Sequence, residues 1–133
     1  MAMKEKDLHR QVCQYIRMQY HDVLFNSDLS GSTKLTIGQA KAMKTLRSNK
    51  GWPDLFIAES KGKYHGLFIE LKIEGTNIIA PRKTDRFGNP CYATDHIAEQ
   101  ADMINELRKR GYSAVFACGW DEAKESIDKY MKL

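Results

Sequence analysis

No apolar stretch of the 133-residue chain approaches the roughly 18 residues that cross a bilayer. The amino-terminal MAMKEKDLHR is charged where a secretory leader would be apolar. Both absences set the expectation of a cytoplasmic protein with no membrane partner. Cysteine is scarce and odd in number, with Cys13, Cys91 and Cys118 far apart and no CxxC pair, so neither a disulfide framework nor a structural zinc site is expected. His9, His21, His65 and His96 are equally scattered. Cys13 and Cys118 therefore read as core residues. Three prolines, nine glycines and no internal repeat exclude fibrous and linker-like chains. What remains is 42% hydrophobic and 29% charged residues, enough to pack a core. The length then predicts a single domain over residues 1–133.

The net charge of +4 conceals a gradient. Residues 1–94 carry 15 Lys and Arg against 9 Asp and Glu, whereas residues 95–133 carry 6 against 8. A basic body of this kind suits a polyanionic partner, although many enzymes without one are as basic.

Leu8, Val12, Ile16 and Tyr20, with Tyr15 beside them, form an i, i+4 stripe that predicts an amphipathic helix over residues 4–20. Extended backwards, the stripe reaches Glu5, while Asp7 falls on the polar side with Gln11, Gln14 and Met18. Glu5 is either an acid favoured by the helix dipole or an inward-facing site residue. A short helix over residues 38–47 would carry Lys41, Lys44 and Arg47 outward, with Lys50 following. Such a row touches phosphates or is simply solvated. Leu55–Glu59 and Leu67–Ile73 are strand-like and are separated by turn chemistry at Lys61-Gly62-Lys63 and Gly66. Folding the chain about residue 62 sets Asp54 opposite Glu70. Glu70 and Lys72 then share one strand face, and Ile69, Leu71 and Ile73 the other.

Residues 75–94 read as a long loop in which Arg82, Lys83 and Arg86 are interleaved with Phe87 and Tyr92. Loops of this length tend to be functional, and basic residues among aromatic ones suit a nucleic-acid backbone and unstacked bases. The remaining pattern predicts a helix over residues 95–110 with Gln100 on its apolar face, a strand over residues 112–118 and a closing helix over residues 121–130.

Asp54, Glu70 and Lys72 together fit phosphodiester hydrolysis. That reaction needs a metal to polarise the phosphate and activate water, acidic oxygens to hold the metal, and a cation near the developing charge. The Leu71 carbonyl offers a third oxygen, and Lys72 can orient or deprotonate the water or offset phosphate charge. An isolated ExK is more often a surface salt bridge. Here Glu5 and Gln100 also point from apolar helix faces toward the same core, and unpaired burial costs roughly 1–3 kcal/mol each.

Glu5, GWPD at residues 51–54, GLFIELK at residues 66–72 and Gln100 resemble the PD-(D/E)xK nuclease superfamily. The stretch GQAKAMKTLRSNKGWPDL is similar to its VRR-NUC branch in particular, and the resemblance extends to the last helix with Asp121 and Tyr130. It implies an α/β fold with a central mixed β-sheet flanked by helices. By the same resemblance, Asp54 and Glu70 would bind Mg²⁺ or Mn²⁺ with the Leu71 carbonyl, Lys72 would act on water and transition state, and Glu5 and Gln100 would complete the site. Stand-alone members, often from phage and prophage, look like endonucleases that cut branched DNA of the four-way Holliday-junction kind as homodimers, since a two-fold junction is cut by two related sites. The alternatives are a flap- or nick-directed or restriction-like nuclease needing a partner, and a non-catalytic DNA-binding module. The intact Asp54, Glu70 and Lys72 argue against the last.

Overall fold

A computed structural model of the protein describes residues 3–28 and 34–133. The second part of the polar NSDLSGST segment, residues 29–33, lies outside the described residues. The elements run α1 (Glu5–Gln19), β1 (Phe25–Ser27), α2 (Ile37–Thr45), β2 (Leu55–Ile57), β3 (Leu67–Lys72), β4 (Ile79–Thr84), β5 (Pro90–Tyr92), α3 (Asp95–Lys109), β6 (Ser113–Cys118) and α4 (Trp120–Met131). Four strands form a mixed sheet in the order β1-β2-β3-β6, with β1-β2 and β2-β3 antiparallel and β3-β6 parallel. No helix among the described residues is long and apolar enough to cross a membrane.

Strand alternation divides the core between the two faces of this sheet. Leu55, Ile57, Leu67, Ile69, Leu71 and Ala117 pack with Leu8, Val12 and Ile16 of α1 and Ala123, Ile127 and Tyr130 of α4. Ala114, with Phe68 and Phe116 beside it, packs with Met103, Ile104 and Leu107 of α3. The β2-β3 register pairs Leu55 with Ile69 and Ile57 with Leu67, so the ladder is centred on residue 62 as expected. Glu70 and Lys72 accordingly share the α3 face with Phe68. Both strands are shorter than predicted, and Ile73 is exposed because the β3-β6 ladder ends at Lys72.

Other expectations need correction. Residues 75–94 are not a loop: β4 and β5 form a two-stranded antiparallel ribbon pairing Ile79 with Tyr92 and Thr84 with Pro90. The Asp85 carboxylate accepts the backbone N–H groups of Phe87 and Asn89 at 2.8 and 2.9 Å, with Gly88 at φ +81°. Pro81 has no N–H to give the ladder, which is why strand periodicity is weak in this segment. The three-residue edge strand β1 was not anticipated. Cys13 and Cys118 are half-buried at the core margin rather than inside it. The short helix α2 starts one residue early at a Thr36–Gln39 capping box, and it buries no side chain.

A polar clasp joins the first and last helices. Asp128 Oδ1 of α4 accepts the hydroxyls of Tyr15 and Tyr20 at 2.6 and 2.7 Å, and Lys124 Nζ lies 2.9 Å from Oδ2. Burial opposes ionisation of Asp128, but these three donors overcome it and hold its pKa down at about 2. A carboxyl whose pKa is lower in the folded than the unfolded state stabilises the fold above about pH 4 and loses that contribution as the pH falls toward 2. Asp128→Ala should therefore cost roughly 2 kcal/mol at pH 7 and flatten the acid limb of a urea-unfolding series. An unchanged limb would show that the clasp is energetically silent.

Candidate active site

Asp54 is delivered by the segment Gly51-Trp52-Pro53 at the entrance to β2. Gly51 has φ +83°, and a Cβ there would lie 2.6 Å from the Glu99 carbonyl oxygen of α3, so this segment seats against the helix only with glycine. Pro53 has no N–H to extend the β2-β3 ladder, and side chains take over at that end of the sheet. Asp54 Oδ1 accepts the Leu71 N–H at 3.0 Å, and the Asp54 N–H donates to Glu70 Oε2 at 3.2 Å. Each carboxylate is thus latched by a backbone N–H of the opposite strand segment, Asp54 by Leu71 and Glu70 by Asp54.

Glu70 is 4% exposed and is satisfied from α3, where the equally buried Gln100 donates its Nε2 to Oε1 at 2.7 Å. Lys72 Nζ lies 3.7 Å from that same oxygen. Burial, then the Asp54 charge, push the Glu70 pKa up to about 8; Lys72 and the Asp54 N–H offset part of this, and Glu5 adds to it. Glu5, half-buried at the start of α1, lines the same cleft of about 250 Å³ with Asp54, Glu70, Lys72 and Gln100. Five side chains expected to converge do so. Leu71 contributes through its backbone, its side chain being fully buried in the core.

His9 was missed. It is 2% exposed and places Nε2 3.1 Å from Asp54 Oδ2 and Nδ1 2.8 Å from Ser27 Oγ. The available signal was its spacing: four residues after Glu5 and three before Val12, it continues the inward stripe of α1.

The cationic candidates divide by position. Arg47 lines the cleft and pairs with Asp28, 2.6 Å away, rather than standing out on a solvated row. Lys44 and Lys50 border a neighbouring groove with His96 and Glu99, and Lys41 is exposed on α2. Arg82 and Lys83 on β4 and Arg86 in the ribbon turn are exposed, and the Arg86 guanidinium lies 4.8 Å from the Phe87 ring centre. Of these candidates only Arg47 lines the acidic cleft. A larger concavity of about 540 Å³ beside Tyr64 and Tyr112 is lined by no carboxylate or histidine, so chemistry rather than size selects the site.

A folded-state pKa of about 8 means that Glu70 keeps a proton which the unfolded chain releases near the ordinary value of 4.5. Stability of the metal-free protein should fall as the pH rises from about 5 to 8 and level off above that. Glu70→Gln should remove this slope in thermal unfolding and be the more stable protein at pH 8. A slope that survives the substitution would assign it to another group.

No family model and no curated protein matches the sequence. Among solved structures, the chain is similar to one titled "VRR_NUC domain protein", with a TM-score of 0.67 and 26% identity over all of this chain and 92% of that one. The likeness extends over the whole chain and so includes every element that carries the cleft: the chain has the fold of a VRR-NUC nuclease domain.

Proposed function

We propose that the chain is a Mg²⁺- or Mn²⁺-dependent endonuclease that hydrolyses phosphodiester bonds in branched, Holliday-junction-like DNA as a homodimer. One observation carries the reading: Asp54 and Glu70 meet across the end of the sheet with Lys72 and Gln100 on one Glu70 oxygen. The donor set fits a hard divalent cation, since the carboxylates of Asp54 and Glu70 converge with the half-buried Glu5 in one cleft, where burial and then the Asp54 charge raise the Glu70 pKa. Bound there, the metal would polarise the scissile phosphate and lower the pKa of its water.

The chain's own groups supply the rest. Asp54 and Glu70 present carboxylate oxygens with the Leu71 carbonyl, and the backbone latches between them keep the pair in register before substrate arrives. Gln100 holds Glu70 Oε1 and fixes the carboxylate plane. Lys72, whose side chain is 16% exposed, takes the attacking water and faces the charge that grows on the phosphate. Glu5 completes the acidic rim. Arg47 at the rim, Lys41, Lys44 and Lys50 around α2, and Arg82, Lys83 and Arg86 on the ribbon engage the DNA backbone, where contacts position the duplex without reading bases.

Purified protein should make paired cuts in a labelled four-way junction with Mg²⁺ or Mn²⁺, and EDTA or Asp54→Ala should abolish them. Lys72→Ala should lose cleavage by at least about a hundredfold while junction affinity stays within a few fold. The double variant Arg82→Ala, Lys83→Ala should weaken binding and flatten its salt dependence. Preferential cleavage of flap or linear duplex would replace the junction reading, and tight binding without cleavage would replace the catalytic one.

A further inference from the structure

The hydrolytic reading leaves the imidazole of His9 without a task. At 2% exposure, neither ring nitrogen reaches bulk water. Nδ1 lies at hydrogen-bond distance, 2.8 Å, from Ser27 Oγ. Nε2 lies 3.1 Å from Asp54 Oδ2, yet makes no hydrogen bond of acceptable geometry with any described residue. With the ring proton on Nδ1 toward Ser27, the Nε2 lone pair faces a carboxylate oxygen. That contact is repulsive unless a proton or a metal cation bridges the two atoms, and its geometry is not that of a hydrogen bond. Leaving such a buried atom unmatched costs on the order of 1–3 kcal/mol.

Glu5, one turn earlier on the same helix face, supplies the third group. Ligand atoms of Glu5, His9 and Asp54 all lie within 4.8 Å of one another. In an octahedral shell with metal–ligand distances of about 2.1 Å, neighbouring donors are about 3.0 Å apart and opposite donors about 4.2 Å. The 3.1 Å between His9 Nε2 and Asp54 Oδ2 is the spacing of neighbouring donors.

We propose that Glu5, His9 and Asp54 form a second divalent-cation site beside the Asp54–Glu70 pair, with His9 Nε2 as a ligand that biases the centre toward Mn²⁺ over Mg²⁺. The inference rests on the metal-dependent reading above, because the two sites share Asp54. Mg²⁺ favours all-oxygen shells and dehydrates reluctantly, whereas imidazole suits first-row transition ions. Ser27 plays the part usual for the outer partner of a metal-bound histidine, holding Nδ1 so that Nε2 is the free donor. The site explains why a histidine is buried against an aspartate that also faces Glu70.

The test is electron spin-echo envelope modulation on the full chain loaded with Mn²⁺, prepared with natural and with ¹⁵N-labelled histidine. The wild type should show ¹⁴N modulation that moves to ¹⁵N frequencies on labelling. His9→Gln should lose it, whereas His96→Gln, which changes an exposed histidine at the cleft edge, should keep it. Half-maximal cleavage should need about tenfold less Mn²⁺ than Mg²⁺ in the wild type, and His9→Gln should erase that preference. Mn²⁺ binding without histidine modulation would overturn this inference alone and leave His9 as a neighbour of Asp54. Modulation that survives His9→Gln or vanishes in His96→Gln would overturn it as well. Failure of the wild type to bind Mn²⁺ at all would overturn the metal-dependent reading together with it.

Discussion

Burial of two carboxyl groups side by side at the end of a β-ladder is the constraint on which the cleft depends. Asp54 and Glu70 are locked together by backbone N–H groups, Leu71 to Asp54 at 3.0 Å and Asp54 to Glu70 at 3.2 Å. Neither can swing away without leaving a buried donor unmatched. Burial first, and the Asp54 charge second, raise the Glu70 pKa to about 8, so the two carboxyls do not both ionise cheaply and Glu70 retains its proton. The arrangement is expensive for a protein alone and well suited to a divalent cation, whose arrival would displace that proton.

Everything around the pair serves to hold it in register. The parallel β3-β6 pairing places Glu70 and Lys72 in the interior of the sheet rather than on its edge. Gly51 lets the Asp54 segment press against α3, the helix from which Gln100 reaches Glu70. The start of α1 brings Glu5 and His9 over Asp54, and α1 is fixed in turn to α4 by the tyrosine–Asp128 clasp as well as by apolar packing. The basic residues sit apart from this acidic cleft, on α2 and on the β4-β5 ribbon, with Arg47 bridging the two zones through Asp28. On the proposed reading, one set of groups would hold an anionic polymer while its reacting phosphate lies against the other.

Local signals made much of this legible before any coordinates. Turn chemistry around Gly62 set the β2-β3 register, and the register in turn set Asp54 against Glu70; the i, i+4 stripes located α1 and α3, and with them Glu5 and Gln100. What escaped was decided by contacts distant in sequence or by elements too short to show a period. β1 is a three-residue edge strand recognisable only by its pairing with β2. The β4-β5 ribbon carries prolines and charges where an ordinary strand would alternate. The Arg47–Asp28 pair depends on how α2 docks, which no local pattern specifies. His9 sat in plain view on the helix stripe, but a lone histidine on an apolar face reads as a core residue until the partner across from it is known.

On the proposed function, the Asp54–Glu70 pair is a metal site held ready by a proton on Glu70. Calorimetric titration of Mn²⁺ into the protein, in buffers of differing ionisation enthalpy, tests it most directly. At pH 7 binding should release about one proton, and the release should fade above pH 8 and disappear in Glu70→Gln. Binding without proton release, or no binding at any pH, would contradict the account.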